Sequence, residues 1–147
     1  MQYARFPGGL HAPLDWAGIR GPATMSAMPR RPENIYPRYH AHVYFGPETV
    51  EQARALRELA LAELPPTASI GRFHEKPVGP HPHWSFQMAF GADGFERVIG
   101  WLESNRSALD VLVHGETGND YADHTDHAMW LGNSATLDLS GFKRPDA

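Results

Sequence analysis

Histidine dominates the chemistry available to this chain. Nine histidines occur in 147 residues, and cysteine is absent. Three stretches hold most of them. YHAHVYF carries His40 and His42, GPHPHWSF carries His81 and His83, and HGETGNDYADHTDHAMW carries His114, His124 and His127. Imidazole can ligate a metal, move a proton near neutral pH, or act as a pH switch. Without cysteine there are no thiol nucleophiles, zinc knuckles or disulfides. Neither HExxH nor a P-loop pattern is present, and no nucleophile elbow surrounds Ser85. The acidic residues nearest these histidines, Glu116, Asp120, Asp123 and Asp126, all fall in one late segment. A metal site here would therefore draw mainly on histidine.

Such a site needs elements that bring distant histidines together. In YHAHVYF, Ala41, Val43 and Phe45 alternate with His40, His42 and Tyr44, the period of a strand with one apolar face. Gly46-Pro47-Glu48 opens a helix with proline in its first turn. Val50, Ala53, Leu56, Ala60 and Leu64 form its apolar stripe, and Pro65-Pro66 ends it. SIGRFHEK (69–76) is a short second strand, followed by the proline-rich turn KPVGPHP. HWSFQMAF (83–90) alternates again, with Trp84, Phe86, Met88 and Phe90 on one face. Asp93 is expected as an N-cap, with Glu96 completing a capping box. Phe95, Val98, Ile99 and Leu102 face the core from the second helix. LDVLVHG (109–115) is a fourth strand, then a loop of roughly ten residues leads to HAMWLG (127–132), a candidate fifth.

The order strand, helix, strand, strand, helix, strand is the split βαβ arrangement of ferredoxin-like folds. The fold class expected is α+β, a four-stranded antiparallel sheet in spatial order 4-1-3-2 with two helices on one face. The apolar set of each strand should face the helices. His40, His42, His83 and His114 then share the other, open face by parity. The end of the fourth strand lies beside the start of the first, which places His114 near His40 or His42. Opposed residues have Cβ atoms roughly 5 Å apart, suitable for two ligands of one ion. In the simplest register His81 and His83 lie nearer His74, unless the GPHP turn curls inward.

Length favours one domain, at 35–147, preceded by an irregular leader at 1–34 that is rich in Gly, Pro and Ala. A net charge of −4 and a pI near 6.1 give no footprint for nucleic acid. No apolar run is long enough for a membrane span, and no signal peptide stands out, so a cytoplasmic location is expected. An open sheet face suggests a homodimer.

Several of these motifs occur together in a known order. YHAHVYF, PVGPHPHWSFQMAF, WLESNRSALDVLVHGETGNDYADHTDHAMWLG and LDLS, spanning roughly 38–140, resemble the DOPA 4,5-dioxygenase family of aromatic ring-opening enzymes. The resemblance implies extradiol cleavage of a catechol such as L-DOPA, with non-haem Fe(II) as cofactor and O2 as co-substrate. It implies His42, His81 and His114 as metal ligands, and His40 and His124 as further ligand or acid/base candidates. Asp123 would orient His124, and Arg106 would bind a substrate carboxylate. His83 after GPHP and Gly115 after His114, where proline is expected, depart from the pattern. The rival reading is a non-catalytic, dimeric ferredoxin-like module that binds a metal or an aromatic ligand.

Overall fold

The computed structural model describes residues 32–144. Most of the expected leader, with His11, lies outside them. Eight elements follow in order: β1 (Arg38–Phe45), α1 (Val50–Glu63), β2 (Ser69–His74), β3 (Trp84–Gly91), α2 (Phe95–Asn105), β4 (Val111–Gly115), α3 (Asp120–Asp123) and β5 (Ala128–Leu131). The fold is α+β with a roughly ferredoxin-like βαββαβ core. Its antiparallel sheet has the order β2-β3-β1-β4-β5. The expected four-stranded order is therefore extended by β5, which pairs along the outer edge of β4 from Val111↔Leu131 to His114↔Ala128.

The period-two and period-3.6 patterns meet in one core. Tyr39, Ala41 and Val43 of β1, Phe86, Met88 and Phe90 of β3, and Val111 and Val113 of β4 pack against Ala53, Leu56 and Ala60 of α1 and Phe95, Val98 and Leu102 of α2. Burying each of the larger side chains contributes about 1.5–3 kcal/mol. Among the described residues, no helix is long and apolar enough to cross a membrane.

Two local expectations fail. Asp93 does not cap α2: residues Ala92–Gly94 form a 3-10 turn, and Gly94 precedes the helix without a side-chain cap. The loop after β4 holds a one-turn helix, α3, whose Ala122 N–H donates to the Asn119 side chain.

The sheet face opposite the helices is also not fully open. His42, Tyr44, Ser85, Leu112 and His114 point there, yet all are buried within the single chain. The 75–83 turn and the segment after β5 cover it, tied together by the Asp138 N–H donating to the Pro80 carbonyl at 2.9 Å. The face on which a homodimer was expected is thus partly covered by the chain's own segments, with His40 and His83 still reaching solvent.

Candidate metal centre

Strand register starts the site. β1 and β4 run antiparallel with His40 directly opposite His114, and His42 lies two residues further along the same face. The His42 and His114 Nε2 atoms are 3.1 Å apart. Two nitrogens each about 2.1 Å from one ion, at a right angle, would be about 3.0 Å apart.

The remaining ligand candidates arrive from irregular segments. After β2 the chain turns at Gly79, whose φ of +58° favours glycine. The His81 N–H then donates to the Val78 carbonyl, and the turn curls over the sheet. This places the His81 ring 4.0 Å from the His42 ring, centroid to centroid. The simple register argument, which set His81 beside His74, is thus wrong, because a turn need not continue the line of its strand. α3 delivers His124, whose ring lies 4.2 Å from that of His114 and 6.0 Å from that of His81.

Five histidines therefore converge. They form two groups whose ligand atoms lie within 4.8 Å of one another: His40–His42–His114 and His42–His81–His124. His42 belongs to both. The expected trio of His42, His81 and His114 is split between them, with His42 common to both.

Hydrogen bonding orients these rings as ligands. His114 Nδ1 is 2.8 Å from the Gly115 carbonyl and His124 Nδ1 is 2.7 Å from the Asp120 carbonyl. A carbonyl can only accept, so each Nδ1 carries the proton and each Nε2 presents a lone pair. Holding Nδ1–H on an oxygen is how proteins fix the tautomer of metal-ligating histidine. His81 Nδ1 sits 2.7 Å from the Tyr44 hydroxyl, and in the tautomer in which Nδ1–H donates to that oxygen its Nε2 presents a lone pair. Burial raises the Tyr44 pKa and keeps the phenol protonated.

Burial also favours neutral imidazole. It pushes His81 and His114 down to about 4, and neighbouring histidines add to the effect. His42, buried among the others, is held well below the ordinary value for the same reasons. His40 is lowered by burial, which the Glu116 carboxylate partly offsets. Neutral imidazole nitrogen is a good donor to iron, zinc, copper and nickel. The donor set, made largely or wholly of histidine, thus fits a transition-metal ion.

Two expected roles do not match the geometry. Asp123 is buried, but its carboxylate accepts from the Thr117 N–H at 2.9 Å, the Thr117 hydroxyl at 2.6 Å and His127 Nδ1 at 3.0 Å. Burial would raise its pKa, and these hydrogen bonds outweigh that and lower it. Asp123 therefore pins the loop that carries His124, while the ring of His124 is held by the Asp120 main chain. Arg106 sits at the other end of β4 from His114. Its guanidinium is engaged by Glu103 and by the Ser107 and Leu109 carbonyls, away from the histidine cluster.

Gly115 has a packing reason. A Cβ there would meet the Tyr36 ring at 2.5 Å, so any larger residue, proline included, requires Tyr36 to move. Tyr44 was legible as a candidate, since it alternates with His40 and His42 on one face. Phe142, whose ring lies 4.8 Å from that of His124, belongs to a tail without periodicity and gave no signal.

Tyr44→Phe removes the oxygen that orients His81 and little else. Metal affinity is expected to fall about 10- to 100-fold, as for other partners of ligating histidines. Competition titration against a chelator measures this, and an unchanged affinity would mean that Tyr44 does not steer His81.

Comparison with known proteins converges on one family. Residues 39–141 match the model of the Dopa 4,5-dioxygenase family. An uncharacterised 21.2 kDa protein of Botryotinia fuckeliana is 38% identical over 72% of this chain and 63% of its own length. The DOPA 4,5-dioxygenase of Amanita muscaria is 30% identical over 71% of this chain and 49% of its own. The chain thus spans about half of one of these relatives and just under two thirds of the other. The crystal structure of a candidate dioxygenase from Nostoc punctiforme superposes with a TM-score of 0.67, at 38% identity, covering 74% of this chain and 94% of that one.

Proposed function

The chain belongs to the Dopa 4,5-dioxygenase family, and we propose that it opens a catechol ring with O2 at a histidine-held ferrous ion. A ring bond next to one of the two hydroxyls is cut, rather than the bond between them, and L-DOPA or a close relative is the substrate. The observation that carries this reading is the pair of overlapping histidine triads that share buried His42.

His42 is the central ligand, and His81, His114 and His124 supply the others, each with its Nδ1 tied to an oxygen. Bound iron would supply the redox chemistry that lets O2 react with a catechol. The chain's own part is to position and to move protons. His40 is the residue placed for proton transfer. Its ring centroid is 5.3 Å from that of His114, its side chain is 23% exposed, and its Nε2 lies 3.3 Å from the Glu116 carboxylate. A catechol must lose protons to react, and His40 with Glu116 forms a path from the cluster to solvent. Trp130, half-buried on the same sheet face with its ring 5.8 Å from that of Tyr44, supplies apolar surface for an aromatic ring.

The test is reconstitution with Fe(II) without oxygen, followed by L-DOPA and related catechols in air. Iron-dependent formation of a yellow ring-opened product is expected. Iron bound in stoichiometric amount with no catechol opened would contradict the proposal and favour a binding module.

A further inference from the structure

With Arg106 committed elsewhere, the structure points to a different cation for the substrate. We propose that Arg38 is a specificity-determining residue, whose guanidinium takes an anionic group on the side chain of the aromatic substrate. This rests on the catechol reading above and deepens it.

Arg38 begins β1 and has the same parity as His40 and His42, so it stands at the edge of the histidine face. One atom links it to the cluster: Glu116 Oε2 lies 3.2 Å from Arg38 Nε and 3.3 Å from His40 Nε2. The Glu116 N–H also donates to the Arg38 carbonyl at 2.9 Å, which fixes the two residues relative to each other. Exposure falls inward along this path, from 61% for the Arg38 side chain to 23% for His40, and His42 is buried. A substrate whose ring reaches the histidines would thus leave its side chain beside Arg38.

The guanidinium has capacity for it. A guanidinium has five N–H donors. Among the described residues, only Nε of Arg38 has a partner, so the two terminal nitrogens remain to grip a carboxylate in the two-pronged manner arginine favours. Arg106, by contrast, spends Nε and a terminal nitrogen on Glu103 and main-chain carbonyls. Lys143 and Arg144 line a hollow of about 510 Å³ with Asp120, Tyr121 and Phe142, behind which His124 lies, and no histidine lines the hollow itself. Arg54 pairs with Glu51 and Glu75, and Arg57 with Glu58, on α1 across the sheet.

Calorimetric titration of the iron-loaded protein without oxygen tests this with two ligands of similar shape, 3,4-dihydroxyphenylpropanoate and the uncharged 4-ethylcatechol. Arg38→Gln is expected to weaken binding of the acid about 10- to 100-fold and to change ethylcatechol by less than about twofold. Arg38→Lys should recover part of the loss, since a point charge replaces the fork. Equal losses for both ligands, or no loss for the acid, would overturn the assignment. So would a loss confined to the Lys143→Gln/Arg144→Gln double variant. Opening of both catechols by a wild type whose acid affinity is indifferent to Arg38 removes this inference and leaves the function. Binding of neither catechol removes both.

Discussion

His42→Ala is expected to abolish metal uptake and with it any ring opening. His42 belongs to both histidine triads, so no set of three remains without it. Loss of affinity should exceed the roughly 10- to 100-fold range typical of outer partners such as Tyr44. The other four histidines discriminate more finely, since replacing any one of them leaves a triad or most of one. The fold should survive. The side chains of the main core, from Val43 to Phe86 and Leu102, lie on the helix side of the sheet and do not depend on His42. Metal content after dialysis, with circular dichroism as the check on folding, measures the outcome. Stoichiometric metal in a folded His42→Ala protein would show that the two triads do not share a centre.

Metal-free protein is expected to lose stability steeply as pH falls below about 6.5. Burial disfavours the imidazolium and pushes His81 and His114 down to about 4 in the folded protein, and it holds His42 well below the ordinary value too. In the unfolded chain each would titrate near 6.5. Between those values the unfolded state binds more protons, so stability rises with pH and is lost as pH falls through the window. With at least two such groups the slope reaches about 2.7 kcal/mol per pH unit near pH 5. Above about pH 7.5 this contribution is present almost in full and the slope disappears. The melting temperature of the metal-free protein between pH 7.5 and 4.5 reads this directly. A flat profile across that range would mean that these histidines are not buried neutral. Bound metal should shift the whole curve upward, since it prefers the same neutral imidazoles.

The parts of this site that the sequence discloses are those governed by strand geometry. Alternation in YHAHVYF and HWSFQMAF assigns faces without knowledge of the turns, and antiparallel pairing then sets His40 opposite His114. Both steps follow from the period of two and the order of elements. His81 is different. Its position depends on the curl at Gly79 and on the Tyr44 hydroxyl, neither of which periodicity encodes. Family resemblance identified it where register arithmetic did not. Asp123 shows the converse. A carboxylate beside His124 in sequence invites a pairing, but on the one-turn helix α3 the bond runs from Asp123 to His127, four residues on, as well as back to Thr117. Arg106 failed for a related reason, since a helix-end arginine finds main-chain carbonyls within reach. Arg38 had the right parity for the histidine face, but only the three-dimensional position of Glu116 marks it out.

The covering of the sheet face also changes how the site is reached. The turn that carries His81 and the tail that carries Phe142 close it from one side. His40, Glu116 and Arg38 form its exposed rim. On the proposed reading, a catechol would enter past these charged groups to reach the buried imidazoles, an arrangement suited to a molecule with a polar side chain and a ring that must be deprotonated.

Oxygen stoichiometry together with product mass tests the proposed reaction most directly. Iron-loaded protein and a known amount of catechol would be followed with an oxygen electrode, and the product examined by mass spectrometry. Ring opening predicts one O2 consumed per catechol, no hydrogen peroxide, and a product with the mass of substrate plus O2, or its dehydrated cyclic form. Release of peroxide with a product that has lost two hydrogens would identify a quinone, and would contradict the assignment of this histidine cluster to dioxygenase chemistry.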